Sequence, residues 1–241
     1  MRNIIITGGE LFNKGAEAMT FITVDELKKR FPNHKIYLLS DMDLKRPKEE
    51  REKYTFSFMG WYPIKFAKCQ YNWLLRLLCK LKNGNELKEA ENIYKNTDLM
   101  VDISGYALGS NWNYEYVNMY LEHLEYAEAF NIPVYLMPQS FGPFEFSGEK
   151  DKELDLRIQR LLPNVKMICA REKEGYDKLV ETYRLKNVCL SQDIVLNNKT
   201  INLKNVFVSD FQGDVPDTAD NSIGIIPNVR NFEVGNKENI Y

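Results

Sequence analysis

The chain has 241 residues, 44% of them apolar and 27% charged, enough for a sizeable core in one large or two small domains and unlike a disordered or fibrous composition. Its 32 basic and 34 acidic side chains leave a formal charge of -2, so no global field draws it to nucleic acid and such a partner is disfavoured. The four cysteines, at 69, 79, 169 and 189, form no C-x-x-C pair, and neither His34 nor His123 stands beside one; zinc and a disulfide framework are both disfavoured. No metal site is expected. The apolar run near the amino terminus is too short for a secretory signal or a spanning helix, and the expected location is reducing and cytoplasmic.

In chain order, Asn3-Ile4-Ile5-Ile6-Thr7 closed by Gly8-Gly9 predicts a buried parallel strand leading into a glycine loop. A helix follows, with its apolar face at Ala16, Met19, Phe21, Ile22, Val24 and Leu27, then a strand from Lys35 to Ser40 that ends at Asp41. Two strands flanking a helix make a right-handed βαβ unit. Trp61 to Lys82 carries Lys65, Lys68, Arg76, Lys80 and Lys82 and no acid, interleaved with Phe66, Trp73, Leu74, Leu75, Leu77 and Leu78. Such a stretch suits an anionic membrane surface, although a core-facing helix with a solvated basic face is the favoured reading.

Asp98 to Ser104 reads as a strand, Tyr114 to Phe130 as a helix, Val134 to Met137 as a strand, and Asp151 to Leu162 as a helix. Lys166 to Ala170 is a strand, Glu172 to Tyr183 a helix, and Asn187 to Leu190 a short strand. This rhythm predicts an α/β fold with a doubly wound, mainly parallel, Rossmann-like sheet. From Leu196 the pattern thins, and a fresh strand, Ser222 to Ile226, follows a polar stretch. The expected organisation is one domain over residues 1–198, then a linker and the first strand of an incomplete second domain over 199–241.

Ligands of open parallel sheets bind beyond the carboxyl ends of the strands, which directs attention to four polar, glycine-bearing loops. The first, from Gly8 to Glu17, is neither a G-x-G-x-x-G fingerprint nor a P-loop. It offers free N–H groups at a helix start, with Asn13 as cap, or is simply a tight turn that needs glycine. Asp102 and Ser104 end an apolar strand; the carboxylate either binds hydroxyls or acts as a general base, or caps the N–H groups of its own loop. Gln139 and Ser140 follow the next strand, and Arg171 opens a helix where a cation opposes the helix dipole. Arg171 thus points to an anionic ligand or to a structural pair with Glu172, Glu174 or a neighbouring carboxylate. Asp193 leans to a structural role. Arg230, after Ile226-Pro227-Asn228-Val229, suits a carboxylate or phosphate. His34 and His123 have no catalytic setting, and Tyr106, Trp112, Phe141 and Phe144 are more often loop packing than sugar platforms.

As a set these loops resemble the polysaccharide pyruvyl transferase family. The resemblance rests on Gly8-Gly9 with Phe12-Asn13-Lys14-Gly15-Ala16-Glu17, Asp102-Ile103-Ser104-Gly105 with Leu108-Gly109, Pro138-Gln139-Ser140-Phe141-Gly142-Pro143, Arg171-Glu172, and Ile225-Ile226-Pro227-Asn228-Val229-Arg230. It implies transfer of pyruvate from phosphoenolpyruvate, as a ketal, onto two hydroxyls of a cell-surface polysaccharide sugar, within a GT-B-like two-domain fold. Phosphoenolpyruvate is then a donor substrate and no resident cofactor is expected. The acceptor saccharide is often lipid-linked in such pathways, which would place the enzyme at the inner face of the membrane with contact through 61–82.

By the same resemblance Asp102 and Glu17 are the carboxylates for proton transfer. Asn13, Gly15, Ser104, Gly105, Gln139 and Ser140 position the sugar, and Arg171 and Arg230 meet the donor. The family's Arg-Leu-His segment does not occur here, so the chain resembles an amino-terminal half, inactive alone. Gly175 stands where the family often has serine. The alternatives are a GT-B-type nucleotide-sugar glycosyltransferase and a non-catalytic glycan-binding remnant.

Overall fold

A computed structural model describes residues 2–61, 73–198 and 200–210, with side chains throughout except at 73–83. Arg230, the expected strand Ser222 to Ile226 and residues 62–72 of the basic stretch lie outside the described residues.

The first strand, β1 (Asn3–Thr7), is buried along its whole length. Helix α1 (Lys14–Arg30) follows, then β2 (Lys35–Leu39), two four-residue helices α2 (Asp41–Leu44) and α3 (Lys48–Arg51), and a short β3 (Ser57–Met59). The basic stretch enters α4 (Trp73–Lys95), which leads to β4 (Thr97–Asp102) and β5 (Tyr106–Leu108). The remainder alternates: α5 (Tyr114–Ala129), β6 (Val134–Phe141), α6 (Glu149–Leu161), β7 (Met167–Ala170), α7 (Lys173–Glu181), β8 (Val188–Leu190) and α8 (Ile194–Asn197).

The strands lie in the order β3-β2-β1-β4-β6-β7-β8, with β5 paired to the far end of β6, and every strand pair is parallel. The order reverses between β1 and β4, so the crevice beyond their carboxyl ends is the topological switch point of an open Rossmann-like sheet.

The period of two along β1 sorts its residues between two cores. Ile5 faces the side packed by Ile93 and Tyr94 of α4, Leu121 of α5, Ile158 of α6 and Leu179 of α7. Ile4 and Ile6 face the side packed by Val24 and Leu27 of α1 and Ile194 of α8. Both faces being covered explains why the strands read as apolar runs.

Three features depart from the sequence expectation. The α1 face buries Thr20, Thr23 and Asp25, whereas Phe21 and Ile22 are only partly covered. Asp25 is buried because Lys29 pairs with it at 2.8 Å while Asn202 N–H and Asn205 Nδ2 donate to it at 3.0 and 2.7 Å. Burial pushes this carboxyl up, but those donors more than offset it and the net shift is downward. The same contacts show that the chain expected to loosen into a linker after Asn198 returns to the domain. Val206 is buried, and Phe207 bridges to Tyr54. Lastly β6 runs four residues beyond Met137, because β5 and β7 supply partners for Gln139, Ser140 and Phe141.

Candidate functional site

The parallel sheet puts the loops after β1, β4, β6 and β7 on one edge, and direct contacts join them. Gly8 takes φ +73°, and a Cβ there would lie 2.1 Å from Ser104 Oγ; the first and second loops therefore cross at glycine-only distance. Ser140 N–H donates to Gly105 O at 2.8 Å, linking β6 to the second loop, where Gly105 holds φ +69°. Arg171 N–H donates to Gln139 O at 3.0 Å and ties in the fourth loop.

Asp102 is the hub beneath the switch point. Thr7 Oγ1 donates to its Oδ2 at 2.7 Å and Ser104 Oγ at 2.9 Å, while Gln139 Nε2 and Ser104 N–H donate to Oδ1 at 3.0 and 3.3 Å. The carboxylate thus pins the ends of β1, β4 and β6 together. Burial raises its pKa above the ordinary carboxylate range, and the Thr7, Ser104 and Gln139 donors pull against that rise. The residue is only 2% exposed and accepts from neighbouring loops, which supports the alternative that it caps the N–H groups of its own loop. Gln139 is itself fully buried, and its Oε1 has no hydrogen-bond partner among the described residues.

Arg171 is the hub on the other side of β6. Its Nη1 reaches Asp193 at 2.8 Å, Nε reaches Glu172 at 3.0 Å, and Nη2 donates to Ser140 Oγ at 2.7 Å. Ser140 Oγ in turn donates to Glu172 at 3.0 Å. Two carboxylates therefore offset the unfavourable dipole position. Burial lowers the guanidinium pKa, and pairing with Asp193 and Glu172 reverses that to a net rise. Asp193 also caps α8 by accepting from Val195 N–H at 2.8 Å.

The first loop enters α1 through Asn13, whose Oδ1 accepts from Gly15 and Ala16 N–H at 2.9 and 3.4 Å. The cap uses that oxygen and leaves Nδ2 of this exposed side chain as a donor. Glu17, one helical turn on, is 20% exposed and pairs with Lys14 at 2.6 Å. Gly175 lies where a Cβ would be 3.0 Å from Phe141 O; α7 starts hard against β6.

A brace around the first loop was not singled out from sequence. Buried Asp43, after β2, accepts from Leu11 N–H at 3.1 Å and from Arg46 Nε at 2.7 Å. Arg46 Nη2 donates to Leu11 O at 3.3 Å and stacks 4.4 Å over the ring of Phe12, which is 53% exposed. The signal was present as Ser40-Asp41-Met42-Asp43 at a strand end, the position given weight elsewhere. His34 sits at the opposite edge, 3.0 Å from Asp98. Tyr106 donates its hydroxyl to Gly142 O at 2.9 Å and packs on Trp112, while Phe144 packs on Phe146 and Tyr183, as loop packing requires.

Among the described residues no group of three or more histidine, cysteine or acidic side chains could hold a metal. No described helix is long and apolar enough to cross a membrane.

Fold and loops together define an open parallel α/β domain whose polar, glycine-bearing loops meet at its switch point. A model of the polysaccharide pyruvyl transferase family matches residues 13–227, most of the chain, and the chain belongs to that family. Among solved structures it is similar to Medicago truncatula UGT71G1 complexed with UDP-glucose, at 11% identity and a TM-score of 0.38. That match covers 80% of this chain and 52% of the other, so the chain spans about half the length of that structure. No curated protein matches it.

Proposed function

We propose that this domain forms the acceptor-side wall of a pyruvyl transferase site in which phosphoenolpyruvate is the donor and a saccharide with two neighbouring hydroxyls the acceptor. The observation that carries the reading is the convergence of the family-matched loops on one edge, joined through Asp102 and Arg171, at the switch point. Ketal formation requires a proton on the terminal enol carbon, attack of one hydroxyl on the neighbouring carbon, departure of phosphate, and closure by the second hydroxyl.

Each residue has a part in this scheme that its surroundings permit. Glu17, partly exposed and next to the capped helix start, accepts a hydroxyl proton; Asn13 Nδ2 orients the sugar. Asp102 acts through others, holding Ser104 and Gln139 in place. Arg171, 29% exposed, presents a guanidinium edge toward an anion while Asp193 and Glu172 hold its plane. Arg230, outside the described residues, is assigned to a donor carboxylate or phosphate by the family resemblance alone.

The test is acceptor-dependent phosphate release from phosphoenolpyruvate by the longest natural form of the protein, with a β-galactoside or N-acetylhexosamine acceptor and product mass measured. A product heavier by a pyruvate ketal is expected. Turnover of a nucleotide sugar instead, or saccharide binding with no transfer from either donor, would overturn the proposal.

A further inference from the structure

Two thiols, Cys169 and Cys189, are not part of the hydrogen-bonded loops just described, and they meet. Cys169 on β7 and Cys189 on β8 are register partners in a parallel ladder, and their sulfurs lie 3.2 Å apart. Both are free thiols. Register partners on adjacent strands have the Cα separation that a disulfide requires, so closing the gap takes side-chain rotation and no strand movement. Cys169 is buried, and burial and the neighbouring thiol push its pKa up to about 12. Cys189 is partly exposed, and both residues line a cavity of about 650 Å³ together with Met137, Leu190, Ser191 and Asn197.

We infer that Cys169 and Cys189 are a redox pair that a peroxide converts to an intrachain disulfide, clamping β7 to β8 below the Arg171–Asp193 pair. The thiolate of Cys189 attacks one peroxide oxygen; the O–O bond breaks, hydroxide leaves and takes a proton to become water, and Cys189 becomes a sulfenic acid. The sulfur of Cys169 then attacks Cys189 Sγ. The S–O bond breaks, and the hydroxyl departs with the Cys169 proton as a second water. Two thiols are oxidised and one peroxide is reduced. Arg171 follows Cys169 by two residues and Asp193 follows Cys189 by four, so the bond fixes the spacing of the strands that carry this ion pair.

The test treats the intact chain with hydrogen peroxide, quenches in acid, unfolds and alkylates it, and maps the peptides. Cys169 and Cys189 should lose alkylation together, appear in one cross-linked peptide pair lighter by two hydrogens, and recover with dithiothreitol. In Cys189→Ser, Cys169 should stay alkylatable after the same treatment. Sulfinic acid at Cys189 with Cys169 still a thiol, cross-links to Cys69, Cys79 or another chain, or oxidation of Cys169 at the wild-type rate in Cys189→Ser would each overturn the inference.

Discussion

Two polar hubs hold the carboxyl edge together, one on each side of β6, and they differ in what surrounds them. The Asp102 hub is sealed: an acid only 2% exposed, which burial holds toward its neutral form. The Arg171 hub is half open, its guanidinium shared between two carboxylates and a hydroxyl within reach of water. Adjacent residues of one strand feed them, Gln139 the first and Ser140 the second. A sealed hub sets where loops lie, because unpaired donors would be left in a dry place if it moved. An open hub can exchange one partner for a ligand at small cost, since exposed ion pairs are individually weak.

The harshest way to break this contrast is at the crossing of the first two loops. Gly8→Ala adds a methyl where only 2.1 Å separates the ideal Cβ from Ser104 Oγ, at φ +73°. Strain and overpacking together should cost about 2–5 kcal/mol. Urea unfolding should record the loss; a variant as stable as the parent would mean that the loops separate freely and that the sealed hub is not rigid.

Asp102→Ala comes next, because Thr7, Ser104 and Gln139 would be left with buried donors. About 3–5 kcal/mol is expected. The charge adds a pH signature. A raised carboxyl pKa means that the folded state keeps a proton the unfolded chain has lost. This contribution to stability is therefore complete below the unfolded value, near about 4, and disappears as pH rises through the folded value. Asp102→Asn should flatten that part of the stability profile while losing about 1–3 kcal/mol for a misplaced donor. An unchanged slope would show that the hub is already ionised and well solvated.

Much of this edge was legible in the sequence, and the reasons are local. Four β-branched residues before Gly8-Gly9 specify a buried strand and its exit, and Asn13 two residues before a glycine in a helix start specifies the cap. The four loops could be placed on one edge because alternating strands and helices permit little else. What stayed illegible depends on partners far along the chain. Asp102 reads as a strand-end carboxylate that either binds hydroxyls or caps its own loop until Thr7 and Gln139 are brought to it, from 95 positions before and 37 after. Asp25 lies outside the apolar face expected of α1, and its burial depends on Asn202 and Asn205 returning to it. β3 and β5, at three residues each, carry too few alternations to register as a period, whereas the equally short β8 was legible from its place in the strand–helix rhythm.

At the open hub the same kind of change should be mild in stability and visible in binding. Arg171→Lys keeps a charge but cannot span Asp193, Glu172 and Ser140 at once, so about 1 kcal/mol of stability is expected to go. If the guanidinium edge meets the donor, KM for phosphoenolpyruvate rises in the same variant more than KM for the acceptor. Equal changes in both, or a stability loss as large as that of Asp102→Ala, would erase the distinction between the hubs.

The smallest effect on the fold should come from Phe12, and it sharpens the contrast most directly. Its ring is half exposed although Asp43 and Arg46 fix both backbone groups of Leu11 beside it, with the guanidinium 4.4 Å over the ring. A fixed aromatic face next to Asn13 is a surface on which a pyranose can lay its C–H groups. Phe12→Ala removes a cation–π contact at an exposed site, so stability should change by about 0.5 kcal/mol. Covering half of a phenylalanine is worth about 1 kcal/mol, a factor of about 5 in acceptor affinity, whereas donor affinity should stay level. Phe12→Tyr should restore binding, and Arg46→Gln should weaken it through a looser ring while leaving the ring in place. Saccharide titration of the three variants decides the point: if Phe12→Ala binds acceptor as the parent does, the exposed ring belongs to no acceptor surface, and the open part of the edge is confined to Arg171.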